Sequence, residues 1–84
     1  MNEEFDVIFL SSPYGGHINF SPCEYPESGY RFSISAFGDH VIVDKPGISH
    51  STACVIARKM ADSIEKLSYR PRRGIRASIS RHLK

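Results

Sequence analysis

The basic side chains near the C-terminus are the residues of this chain best suited to bind a ligand. Six of them follow Leu67 with no acid among them, and they are Arg70, Arg72, Arg73, Arg76, Arg81 and Lys84. Their segment carries a charge of +6, whereas residues 1–67 hold five basic and nine acidic side chains and carry −4. The overall charge of +2 therefore conceals a basic end joined to an acidic body.

An arginine-rich segment of this kind is typical of phosphate binding, because guanidinium forks match phosphate oxygens bidentately and serine hydroxyls add hydrogen bonds. We therefore predict a small accessory or regulatory protein whose partner is nucleic acid or a complex that handles nucleic acid. Contacts from all six charges would give a slope of about −5 when log affinity is plotted against log salt concentration. Two alternatives stay open. One is an acidic protein partner, which includes the acidic body of the chain or of a second copy in a homodimer, and the other is a solvated terminus that serves only solubility.

Polar residues that alternate along the predicted strands form a second candidate surface. They are His17, Asn19, Ser21, Arg31, Ser33, Ser35 and His40. Sheets do read DNA through outward side chains, but a sheet of this kind would be expected to carry several basic residues, and only Arg31 qualifies. We include Arg31 among the candidate binding residues and interpret the remainder as an ordinary solvated sheet face.

Metal binding and catalysis have weaker support. Among the His and Cys side chains only His50 and Cys54 have a suggestive spacing, i and i+4 at a helix start, and no pair has the spacing of a structural zinc site. The sequence lacks a Gly-x-Ser-x-Gly elbow, a phosphate loop and a dinucleotide fingerprint. We predict no metal, no cofactor and no enzymatic activity.

Aromatic residues support the rival hypothesis of a protein-interaction module or inhibitor. Tyr14, Tyr25 and Tyr30, with Phe37 at a predicted hairpin tip, could present aromatic surface, and tyrosine is over-represented in protein interfaces. In that case the basic end docks on an acidic partner or completes a homodimer.

The most periodic stretch, Ser49 to Leu67, predicts one amphipathic helix. Its apolar residues follow a single helical face and are Ala53, Ile56, Ala57, Met60, Ala61, Ile64 and Leu67. Ser49 or Ser51 can cap its N-terminus. Pro71 disfavours helical backbone at the preceding residue, so the helix is expected to end near Ser68 or Tyr69.

Four strands are expected before that helix. The apolar run Phe5–Leu10 predicts a strand buried on much of both faces, placed centrally or against the helix. His17–Ser21 and Tyr30–Ala36 alternate cleanly, with a long loop over Pro22–Gly29 between them. Gly38-Asp39 predicts a two-residue hairpin turn into His40–Asp44.

These elements predict an α+β fold, a four-stranded antiparallel β-meander covered on one face by a single amphipathic helix and followed by a basic tail. We place one small domain at residues 1–69 and the tail at 70–84, where Ile75, Ile79 and Leu83 could form a short second helix. One helix stripe against one sheet face is a stable two-layer arrangement.

Composition limits the remaining classes of protein. Eighty-four residues suffice for one small core, and no segment approaches the roughly 20 apolar residues of a membrane span. Two cysteines are too few for a disulfide scaffold, and the acidic N-terminus does not resemble a secretory signal. We expect a soluble cytoplasmic protein without membrane association, and its compact, solitary form suggests a mobile-element origin.

Overall fold

A computed structural model of the chain describes residues 6–11, 15–24, 28–67 and 71–83. The strands are β1 (Asp6–Phe9), β2 (His17–Cys23), β3 (Gly29–Ala36) and β4 (Asp39–Pro46), and the helices are α1 (His50–Glu65) and α2 (Arg76–Ser80). The strands form one antiparallel sheet in the order β1-β2-β3-β4. The predicted meander followed by an amphipathic helix is confirmed.

The inner face of the sheet supplies half of the core. Ile8, Ile18, Ile34 and Val41 stand opposite one another across the four strands, and Ile18 and Ile34 are fully buried. A parallel row joins Phe20 and Phe32, whose rings stack at 5.8 Å. The alternation along β2 and β3 thus places apolar side chains inward, as their period of two requires.

Helix α1 supplies the other half of the core. Its buried residues, Ala53, Ala57, Met60, Ala61 and Ile64, all belong to the predicted apolar stripe. Ser49 is the N-cap, and its side chain accepts a hydrogen bond from the Thr52 N–H.

Of the two placements predicted for the first strand, the one against the helix is confirmed, since Asp6 Oδ2 of β1 lies 2.8 Å from His50 Nε2 of α1, and the central one is wrong. β1 lies at the edge of the sheet, and although Ile8 packs against the core, Val7 and Phe9 on the outer face are 40% and 75% exposed. An unbroken apolar run is the pattern of a strand covered on both faces. Here the same run combines a buried inner face with an exposed apolar outer face.

The predicted hairpin turn is displaced by one residue. Phe37 and Gly38 occupy the turn with φ of 53° and 80°, and Asp39 pairs with Ala36. Positive φ at both central positions is the mark of a type I′ turn.

Packing on the inner face explains this register. In the observed pairing Val43 lies opposite Phe32, whereas a Gly38-Asp39 turn would bring Lys45 opposite that buried ring. Phe37 also buries its side chain in the core, which offsets the cost of a left-handed backbone at a bulky residue.

The predicted long loop between the second and third strands is shorter than expected. β2 continues to Cys23, which pairs with Gly29 at the start of β3. A Cβ at Gly29 would collide with the Lys45 carbonyl group of β4. A residue that suggested a loop is therefore needed where two strand backbones approach closely.

The residues that follow Pro71 pack against the rest of the fold. We call residues 71–83 the C-terminal segment. Within it Ile75 and Ile79 are fully buried members of the core, and the short second helix that the sequence allowed is α2. No helix in the described part of the chain is long and apolar enough to cross a membrane.

Candidate functional site

Four of the six basic residues of the predicted site lie on the C-terminal segment and are exposed. They are Arg72, Arg73, Arg76 and Arg81. Arg70 and Lys84, the other two, lie outside the described residues. A turn in which the Gly74 N–H donates to the Pro71 carbonyl oxygen at 3.2 Å separates Arg72 and Arg73 from α2.

Buried side chains and hydrogen bonds hold this segment on the body of the protein. Ile75 and Ile79 enter the core, and Lys45 Nζ of β4 donates a hydrogen bond to the Leu83 carbonyl oxygen at 2.7 Å. The spacing Ile75–Ile79 places both side chains on one side of a helical turn. The exposed arginines are consequently displayed from a backbone that is fixed on its other side.

The four described arginines of the C-terminal segment form no ion pair with a described carboxylate. Within the ranges that the structure describes, no carboxylate lies within ion-pair distance of Arg72, Arg73, Arg76 or Arg81. A surface of uncompensated guanidinium groups produces a positive potential that attracts anions.

Arg31, the remaining predicted site residue, is in a different situation. Its guanidinium donates two hydrogen bonds to the Asp44 carboxylate, at 2.6 and 3.1 Å, across adjacent strands. The hydrogen bond from Arg31 holds the pKa of Asp44 below its usual value, and the bond to Asp44 raises the pKa of Arg31. Arg31 lies on β3, apart from the arginines of the C-terminal segment, and its charge is already paired with Asp44.

Helix α1 adds positive charge next to the end of the C-terminal segment. The Ser63 hydroxyl and His82 Nε2 share a hydrogen bond at 2.7 Å. Burial lowers the pKa of His82, and the positive charges of Arg81 and Lys59 lower it further. Lys59, which is exposed on α1, thus contributes positive charge near His82.

Two open clefts lie at the β3–β4 hairpin, and one of them is lined by arginines. The smaller, of about 190 Å³, is lined by Arg73 and Arg76 together with Asp39 and His40. The larger, of about 420 Å³, continues from His40 to His17 across the outer face of the sheet. His40 therefore connects the arginines with the outer sheet face.

No family model, curated protein or solved structure matches this chain.

Two of the four residues of the predicted aromatic surface, Tyr30 and Phe37, are buried in the core. The other two, Tyr14 and Tyr25, lie outside the described residues. Among the described residues Phe9 is an exposed aromatic side chain that sequence reasoning missed, because an apolar run does not show which of its side chains face solvent.

A second side-chain cluster forms around His50. Its Nε2 and Asp6 Oδ2 are 2.8 Å apart, and Cys54 Sγ lies 3.7 and 3.9 Å from the two ring nitrogens. The spacing of His50 and Cys54 signalled their contact, but no local pattern predicts Asp6, which is 44 positions away. Among the described residues no group of three or more His, Cys, Asp or Glu side chains is arranged to hold a metal ion.

Proposed function

We propose that this chain is a small non-enzymatic accessory or regulatory protein that binds nucleic acid, or a complex that handles nucleic acid, through its C-terminal segment. The observation that carries the proposal is the exposure of Arg72, Arg73, Arg76 and Arg81 on one anchored segment. Among the described residues no carboxylate forms an ion pair with them, although Asp39 lines the same cleft as Arg73 and Arg76.

Guanidinium groups suit a phosphate backbone because each offers a planar fork of donors that two phosphate oxygens can accept. Binding releases counterions from the nucleic acid, and this release supplies most of the affinity of sequence-independent binding. Four arginine contacts would give a salt slope of about −4 on duplex DNA and about −3 on a single strand.

Anchoring of the segment supports the same function. A basic terminus without contacts to the body of the protein would lose conformational entropy on binding. Ile75 and Ile79 hold this segment in place before any ligand arrives, so less ordering is required. The acidic charge carried by residues 1–67 repels phosphate elsewhere and so orients the protein on its partner.

We also propose a cytoplasmic location and no cofactor. Both cysteines of the chain are thiols, which suits a reducing compartment. The contact between His50 and Cys54 is long and exposed to solvent, which fits a surface cluster better than an enclosed catalytic centre.

The test compares two charge-matched double variants of the intact chain. Arg73→Gln with Arg76→Gln removes two charges from the proposed interface, and Arg58→Gln with Lys66→Gln removes two exposed charges from α1 and its C-cap. Truncation of the C-terminal segment is unsuitable because it also removes Ile75 and Ile79 from the core. Binding to duplex and single-stranded oligonucleotides is measured by fluorescence anisotropy at 50 mM salt.

We expect the first variant to lose at least about tenfold in affinity, since two phosphate contacts are lost at low salt, and the second to change little. Absence of binding by the unmodified chain to every oligonucleotide would overturn the proposal. Equal losses in both variants would also overturn it, because the effect would then follow net charge and not the interface.

A further inference from the structure

The outer face of the sheet carries one continuous row of ring-bearing and polar side chains. Phe9 stands opposite His17, His17 opposite Ser35, and Ser35 opposite His40, so the row crosses all four strands. Adjacent strands are about 4.8 Å apart, which makes the row about 14 Å long. No helix in the described part of the chain covers this face, because the core lies on the other one.

Phe9 is the dominant feature of this row. It is 75% exposed, more than any other large apolar side chain among the described residues, and its ring centroid lies 6.5 Å from that of His17. Burying an exposed aromatic ring is favourable, so a ring held in this position is available for contact with a partner. The two ring planes are inclined by 59°, so each ring offers its own face, on which a separate planar group can stack.

The row leads directly to the basic surface. His40, at its far end, is oriented by a hydrogen bond with the Ser33 hydroxyl at 2.7 Å. It also lines the small cleft that contains Arg73 and Arg76. The arginines thus lie near the His40 end of the row, and the aromatic ring of Phe9 lies at the other end.

We propose that the partner is a single-stranded nucleic acid whose phosphates contact the arginines and whose bases stack on Phe9 and His17. This inference rests on the proposed function and specifies its ligand. Aromatic side chains can stack only on bases whose faces are free, which excludes the interior of a duplex.

Polar residues beside the row suit the same ligand. Asn19 and Ser33 occupy the next row of the outer face, where an amide and a hydroxyl can donate to or accept from base edges. The charge on this face is small because Arg31 is paired with Asp44. The row therefore favours base contacts, and the arginines next to His40 supply the contacts with phosphate.

The experiment uses three probes with the intact chain: a ten-nucleotide oligothymidine, a duplex of the same length, and an abasic oligonucleotide with the same number of phosphates. Phe9→Ala removes one of the two rings without opening a cavity, because the side chain is exposed. Phe9→Tyr keeps an aromatic ring, and Val55→Ala, at a residue of α1 that is 52% exposed, controls for loss of exposed apolar surface.

We expect the unmodified chain to bind oligothymidine about tenfold more tightly than the abasic strand, which is typical of one stacked base. Phe9→Ala removes that difference and leaves abasic binding unchanged, Phe9→Tyr restores it, and Val55→Ala has no effect. Circular dichroism of each variant verifies that the fold is retained.

Two results would overturn this inference while the proposed function stands: equal affinity for oligothymidine and the abasic strand, or equal affinity of Phe9→Ala and the unmodified chain for oligothymidine. A homodimer that Phe9→Ala dissociates in sedimentation would likewise overturn it, because the face would then be occupied by a second copy. Absence of binding to all three probes would overturn both proposals.

Discussion

Lys45 Nζ donates a hydrogen bond to the Leu83 carbonyl oxygen at 2.7 Å. This contact joins the edge strand β4 to the end of the C-terminal segment, 38 positions away. Together with the buried Ile75 and Ile79, it makes the basic segment part of the two-layer fold. The charge of this segment and the stability of the protein are therefore separable by substitution: the arginines face solvent, and the isoleucines face the core.

Ile79→Ala should lower the free energy of unfolding by about 3 kcal/mol, because it leaves a cavity at a fully buried site. Ile42→Ala makes the same chemical change on the outer face of β4, where the side chain is 56% exposed, and should cost less than about 1 kcal/mol. Urea unfolding followed by circular dichroism measures both. Similar losses in the two variants would show that the C-terminal segment is not packed as described.

Ile64→Asp should lower the free energy of unfolding by at least about 3 kcal/mol, since it buries a charge without a partner. Ile64 is fully buried in α1, whereas Val55 on the same helix is largely exposed. Val55→Asp is therefore the matched control and should cost less than about 1 kcal/mol. Thermal unfolding of the two variants compares them, and tolerance of both would mean that the buried face of α1 is misassigned.

The helix and the buried faces of the alternating strands were predictable because the apolar residues recur with periods of 3.6 and two residues. The hairpin register was not, because local chemistry favoured glycine and aspartate in the turn. The choice depends on which residue of β4 faces Phe32, a contact between distant strands. The edge position of β1 was unpredictable for a related reason, since an apolar run does not record whether its outer side is covered.

Gly38→Val should destabilise the protein by about 1–2 kcal/mol, because Gly38 has φ of 80°, a conformation costly for a β-branched residue. No atom lies within 4 Å of the position that a Cβ would take, so the loss would reflect the backbone and not a collision. Gly38→Asn should cost only a few tenths of a kcal/mol, because asparagine tolerates this region. Chemical denaturation measures the free energy of unfolding of both variants. Equal losses in the two would contradict the left-handed backbone at Gly38.

His82 should make the protein less stable in mild acid. Burial, together with Arg81 and Lys59, lowers its pKa in the folded state below the usual 6.5. Below pH 6.5 the unfolded chain binds a proton that the folded chain resists, so stability falls as pH is lowered and is unaffected by this group above that range. The free energy of unfolding of His82→Gln should depend less on pH between 7 and 5 than that of the unmodified chain, and parallel curves would contradict the expectation.

Charge alone allowed the arginine-rich segment to be predicted, but not its anchoring. The i, i+4 spacing of Ile75 and Ile79 was compatible with a short helix. Whether these side chains are buried depends on the free space beside β4 and α1. The pairing of Arg31 with Asp44 depends on the same strand register that the turn residues failed to reveal. Long-range packing therefore decides which of the predicted basic residues carry an unpaired charge.

Salt dependence of binding should report how many of those charges meet phosphate. On a single-stranded oligonucleotide each contact contributes about 0.7 to the magnitude of the slope of log affinity against log salt. Arg73→Gln with Arg76→Gln should therefore reduce that magnitude by about 1.4. Phe9→Ala should weaken binding without changing the slope, because stacking releases no counterions from phosphate. Anisotropy titrations between 50 and 200 mM salt measure both quantities, and an unchanged slope in the arginine variant would show that these two side chains do not contact the backbone.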